Sequence, residues 1–159
     1  MSPTVVQLGR ECPRRYADVV ALPIDVKLTL LSAGLIFLLA LILGVWKYRQ
    51  VLISEDHRAH PYVDIAHRAA LLYSFAALLV AEFVHLSVWP TWVNLTAAMV
   101  LVFFFVVAIW TYIFHGWKQD TDNQFANPDR AMRLGMVALV IGEVGGFGVL
   151  LAGFIAGQF

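Results

Sequence analysis

Four stretches of this chain, residues 28–46, 69–89, 92–114 and 134–154, are long apolar runs without a single lysine or arginine. A helix needs about 20 residues to cross a hydrocarbon core roughly 30 Å thick, and each run is of that order. A backbone in hydrocarbon must satisfy its own hydrogen bonds, and a helix does so within one segment. Composition agrees: 60% of the 159 residues are hydrophobic and 14% charged, against roughly half and a quarter in soluble domains. The expected fold is therefore all-α, an integral membrane bundle of four antiparallel transmembrane helices at about 28–46, 66–89, 92–115 and 134–157. It forms one membrane domain over 1–159, with 1–27 as an N-terminal segment. The first run is of spanning length and has no small-residue cleavage site after it, so it reads as a membrane helix rather than a signal peptide.

The formal net charge is zero and no block of like charge occurs, which argues against nucleic acid or an acidic substrate. The single cysteine, Cys12, excludes an internal disulfide and a CxxC redox pair. The connections, about twenty residues each over 47–68 and 115–133, are too short for a second domain.

Antiparallel spans sort the polar residues by face. The second and third runs, joined by Pro90 and Thr91, form a tight helical hairpin. One face, called B, collects Lys47, Arg49, Arg58, Arg68, Lys118, Arg130 and Arg133; the other, face A, has Arg10, Arg14, Arg15 and Lys27. The positive-inside rule favours face B as cytoplasmic in a multi-pass protein of the bacterial inner (cell) membrane. Trp46, Tyr48, Trp89, Trp92 and Trp117 mark the interfaces.

His57, His60, His67 and His115 all fall on or near face B, with His85 near face A. If the second helix begins around Pro61, then His60, Asp64 and His67 follow along one side, and Tyr112 and His115 end the third helix at the same level. Imidazole is a common ligand of transition metals and haem iron, and a phenol can donate a hydrogen bond to a bound oxygen. The bland reading is that these histidines bond headgroups or loop carbonyls. His67 and His85 stand about 27 Å apart on one helix and cannot share a metal. Glu82 and Glu143 are the intramembrane carboxyls; each costs roughly 2.5–3.5 kcal/mol in hydrocarbon and should face the bundle or be protonated. Ser74 and Glu82 lie on the His67 side of the second helix, either as a ligand path or as a hydrogen-bond seam. Gly135, Gly142, Gly146 and Gly153 form a stripe that lets a helix approach closely, within the bundle or between subunits. No glycine-rich phosphate loop, HExxH, GxSxG or desaturase-type histidine box is present.

Arg58-Ala59-His60 before the second span, Tyr112 late in the third, and Asn123-Gln124-Phe125 before a glycine-rich fourth span together resemble the styrene oxide isomerase family of small four-helix membrane proteins, with hydroxylaminobenzene mutase a more distant relative. The resemblance covers most of the chain. It implies a trimer with haem b between subunits, His60 as the axial iron ligand, and ferric iron acting as a Lewis acid that opens an epoxide to a carbonyl compound without net electron transfer. Tyr112 would match the family's active-site tyrosine. His115 and Asn123 are further candidates to contact the cofactor. The chain departs from the family where an asparagine is expected six residues after the ligand histidine: Ala66 stands there, or His67 if one residue is inserted. Either His67 takes over the polar role, or the substrate differs.

Three readings follow. The first is a haem-dependent isomerase of small apolar substrates, homo-oligomeric in the bilayer, with His60 on iron and Tyr112 and His67 as catalytic groups. The second is a b-type haem or metal-binding redox or anchor subunit of a membrane complex, with iron clamped between His67 and His115. The third is a cofactor-free accessory subunit.

Overall fold

The computed structural model describes residues 21–123 and 130–159; Arg10, Cys12, Arg14, Arg15, Gln124, Phe125 and Pro128 lie outside the described residues. Among those described, the regular elements are four helices, α1 (Ile24–Ile53), α2 (Pro61–Leu86), α3 (Thr91–Lys118) and α4 (Arg130–Gln158). Each is long and apolar enough to cross a membrane.

Three of the helices outrun the apolar stretches at both ends, because hydropathy marks a change of surroundings and helix ends are set by backbone chemistry. α1 opens directly after Pro23, and Asp25 Oδ1 accepts from the Val26 amide at 3.0 Å, a carboxylate at the positive end of the helix dipole. It continues past Trp46 to Ile53 because 47–53 contains neither Gly nor Pro to stop it. α2 begins at Pro61, where the missing N–H costs nothing, and stops at Leu86 rather than 89, with Ser87 extended. α3 runs to Lys118 and ends on Gln119 in the left-handed conformation (φ 52), whose amide bonds the His115 carbonyl at 2.8 Å. The α1–α2 connection is consequently residues 54–60, much shorter than hydropathy alone suggests.

The buried residues form two layers. One joins the start of α1 to the end of α2 and the start of α3 through Val26, Val84, Ala98 and Leu101, with Leu150 from late α4. The other joins Ala40 and Leu43 of late α1 to Ala66 and Ala70 of early α2 and Ile109 of late α3. Successive helices therefore pack with reversed direction. α1 and α4 lie on opposite sides of the α2–α3 pair and do not meet. α4 adds a buried side chain to the first layer only, so the end carrying His60 and His115 has a three-helix core.

Small residues set the spacing. Ala40, Ala66, Ala70, Ala77 and Ala98 are fully buried, whereas long side chains such as Leu35, Leu41, Leu72, Phe75 and Trp110 point outward. Between apolar surroundings and an apolar core, burying leucine gains little, so close packing of small side chains decides how helices associate. The glycine stripe of α4 serves this packing: a Cβ on Gly142 would collide with the Phe104 ring, and one on Gly146 would stand 3.2 Å from the Ala97 carbonyl oxygen. At Gly153 it would collide with Ser87 and Trp89 of the hairpin. Gly135 alone of the four faces open space. The hairpin is tied to α4 by Trp89 Nε1 donating to Val149 O at 2.9 Å and Val88 N to Gly153 O at 3.2 Å. Asn94, buried, donates from Nδ2 to Trp89 O at 3.2 Å and holds the turn closed.

Gly153→Val should lower stability in detergent by about 1–3 kcal/mol through overpacking, whereas Gly135→Ala should leave it within about 0.5 kcal/mol of wild type or slightly raised. Thermal melts followed by circular dichroism distinguish the two.

Candidate functional site

α2 begins with a candidate site residue already in place. His60 is the N-cap residue: its Nδ1 accepts from the Tyr62 amide at 3.3 Å, so the imidazole does what a serine or asparagine does at most helix starts. Its own amide donates to Gln50 Oε1 of α1 at 3.0 Å, and its Nε2 faces Asp122 Oδ1 at 3.5 Å. The ring is thus held by α1, by α2 and by the segment after α3.

Around His60 the aromatic rings stand in a row. Tyr62, 4% exposed, is stacked against His60 and Tyr112 with 6.2 Å between centroids in each case, and lies tilted against His115 at 5.3 Å. Gly116 allows this approach of α3 to α2, since a Cβ there would stand 2.9 Å from Val63 Cγ2. His115 Nδ1 lies 2.8 Å from Asp120 Oδ1. Because the left-handed Gln119 turns the chain back after α3, Asp120 and Asp122 come over His115 and His60. The His115 hydrogen bond holds the Asp120 carboxyl below its ordinary value of 3.8, against a smaller opposing effect of desolvation.

His67 is elsewhere. Its Nδ1 lies 2.9 Å from the Ala40 carbonyl oxygen of α1, and its ring fills the space left by Gly44, where a Cβ would stand 2.9 Å from His67 Cε1. On α2, His67 and Tyr62 are five residues apart, about 140° around the helix. His67 therefore faces α1 while His115 lies against Tyr62 on the α3 side, and the two do not come together. His57 is an exposed turn residue with φ 54, and His85 is exposed at the other end. Asn123 is exposed, its amide donating to Thr121 Oγ1 at 3.0 Å. The supposed polar stripe of α2 dissolves as well. Ser74 is buried and donates to its own helix at Leu71 O, while Glu82 lies on the exposed surface rather than facing the bundle.

Two cavities flank the row of rings. Gln50, Asp56, Arg58, His60 and Gln119 line a polar one of about 360 Å³. On the other side of Tyr62, an apolar cavity of about 340 Å³ is bounded by Ile65, Leu72, Arg68, Tyr73 and Tyr112. The hydroxyl of Tyr112 makes no hydrogen bond among the described residues. Lys47 and Arg68 both pair with Asp64, at 2.5 and 2.9 Å, and close the neighbouring edge between α1 and α2.

A histidine gives iron the lone pair of one ring nitrogen and keeps its proton on the other, usually donated to a carbonyl or carboxylate. His67 and His115 are held in this way, since their Nδ1 atoms face groups that only accept. His60 is held in reverse: Nδ1 accepts, which leaves the ring proton on Nε2 toward Asp122. The donor set fits haem iron at His115 or His67 as the rings stand, and at His60 once its ring leaves the cap. Among the described residues no three His, Cys, Asp or Glu side chains are gathered around one metal-sized point.

Sequence reasoning missed Tyr62, Gln50, Asp120 and Asp122. Tyr62 looks like any interfacial aromatic, and nothing local to the two aspartates shows that Gln119 reverses the chain above the histidines. No family model, curated protein or solved structure matches the chain.

Loss of the cap in His60→Ala should cost about 1 kcal/mol, and His60→Asn, which keeps an acceptor there, should restore most of it; chemical unfolding in mixed micelles measures both. Since the Asp120 carboxyl is held down in the folded protein, its contact with His115 is complete above pH 3.8 and is lost as pH falls through a lower value. The carboxyl carbon signal of Asp120 should titrate below 3.8 in wild type and return to about that value in His115→Ala.

Proposed function

We propose that the four helices insert antiparallel in a membrane, with the histidine-rich end on one side, and that the protein is a haem-dependent isomerase of small apolar substrates, of the epoxide-to-carbonyl type. The observation that carries this reading is the row His60, Tyr62, His115 and Tyr112 at one end of an otherwise apolar bundle, next to a cavity of about 340 Å³ lined in part by Tyr112, whose hydroxyl has no partner among the described residues. The resemblance to the styrene oxide isomerase family supports it through Arg58-Ala59-His60 and Tyr112, and extends it to a trimer.

In this reading His60 holds the iron, giving up its cap to do so, and His115, with its proton fixed on Nδ1 by Asp120, is the neighbouring nitrogen available to the cofactor. Ferric haem, when bound, supplies a Lewis acid for the substrate oxygen with no net electron transfer. The side chains Ile65 and Leu72 hold the apolar body of the substrate, and Tyr112 donates a hydrogen bond to its oxygen. Tyr62 stacks on both His60 and Tyr112 and so links the iron ligand to the substrate cavity.

One observation favours the second reading, a b-type haem subunit: in His67 and His115 Nδ1 already faces an oxygen acceptor, the arrangement that suits a ring binding metal through Nε2. Their placement against different helices weighs on the other side.

The visible spectrum of detergent-purified protein separates these. A haem band present in wild type, lost in both His60→Ala and His60→Asn and kept in His115→Ala and His67→Ala, supports the isomerase. Loss in His67→Ala and His115→Ala with retention in His60→Asn replaces it with the second reading, and a colourless preparation that takes up no added haemin sinks both.

A further inference from the structure

Away from the histidine-rich end, a groove of about 540 Å³ opens between α2, α3 and α4, with Leu79, Leu101, Phe105, Phe147 and Gly148 on its walls. Its lining is apolar except for Glu143. The Oε1 atom of Glu143 is buried and has no hydrogen-bond partner among the described residues. Tyr73 and Tyr112 lie within electrostatic reach of this carboxyl, and neither hydroxyl bonds to it among the described residues.

An acceptor buried without a partner costs about 1–3 kcal/mol, and a carboxyl in apolar surroundings has few ways to recover it. The acyl chain of a lipid brings no donor. A helix of another copy, about 10–12 Å across with its side chains, can cover such a groove but cannot enter it. A small molecule can enter, since the volume lies in the range of about 300–1,000 Å³ found for small-ligand sites with mainly apolar walls and a few polar groups that fix orientation.

We propose that this groove binds a small apolar molecule carrying one O–H or N–H donor, taken up sideways from the surrounding apolar phase, with the Glu143 carboxyl turning toward it to accept its hydrogen bond. The site goes beyond the isomerase reading and is independent of haem. Gly148 contributes to its openness, because a Cβ there meets nothing within 4 Å. A side chain at that position therefore starts from open space at the groove wall.

Fluorine NMR on the protein in lipid nanodiscs tests this with two probes of similar size, 4-fluorophenol and fluorobenzene. Wild type should bind 4-fluorophenol at least tenfold more tightly than fluorobenzene. Glu143→Leu should abolish that preference and leave fluorobenzene binding intact, while Gly148→Phe should remove both, each variant keeping its helical circular dichroism. Equal binding of the probes by wild type, or a preference retained in Glu143→Leu, overturns the proposal. So does complete disulfide cross-linking of Val144→Cys between copies, in a Cys12→Ser background, that 4-fluorophenol does not reduce; a second copy would then cover the groove. No haem signal enters any of these readouts, so failure here and failure of the isomerase reading are separate results.

Discussion

The close approach of α1 to α2, through Ala40, Gly44, Ala66 and Ala70, is the contact on which the polar end depends. Where the surroundings are as apolar as the core, leucine is equally at home inside and outside, and helices are drawn together by dense contact between small side chains. Fully buried alanines bring the two backbones near enough for His67 to reach the Ala40 carbonyl and for Lys47 to reach Asp64. They also bring the end of α1 beside the start of α2, so that Gln50 receives the His60 amide. A bulkier seam would separate these partners and leave imidazole and carboxylate groups unpaired in a poorly polar setting.

The histidine-rich end has a division of labour set by that packing. His60 caps α2, His67 locks α1 to α2, and His115 pairs with Asp120 at the end of α3. Each ring has a structural partner, yet the partners differ in kind: two are oxygen acceptors facing Nδ1, and one, the Tyr62 amide, donates to it. Tyr62 stands between the polar cavity at His60 and the apolar cavity at Tyr112, touching both rings as well as His115.

Much of this was legible in the residues, to different depths. The number of helices follows from four apolar runs, and the start of α2 from Pro61, because local chemistry sets both. The clustering of His60, Tyr112 and His115 follows from helix direction alone. The division of the histidines does not: His67 sits only seven residues after His60, on nearly the same side of α2, yet it is turned to α1 by the space at Gly44. The glycine stripe of α4 left open whether it packs within the bundle or between copies, since a helical wheel gives a face and not its neighbour. Phe104, Ala97 and Trp89 supply that neighbour for Gly142, Gly146 and Gly153. Of the two expectations for Glu82, facing the bundle or being protonated, the first is not met, because Glu82 lies one turn from the end of α2, on the outer surface.

By itself, then, the sequence determined an all-helical chain with four segments able to cross a membrane and with its histidines concentrated at one end, because hydropathy and helical direction are properties of a segment and its neighbours along the chain. Tertiary structure decided which ring nitrogen faces an acceptor, which cavity each side chain lines, and which polar atoms, Asn94 Oδ1 and Glu143 Oε1, are buried without a partner among the described residues. Those depend on the rotation of one helix against another, and that rotation is set by contacts between residues far apart in sequence.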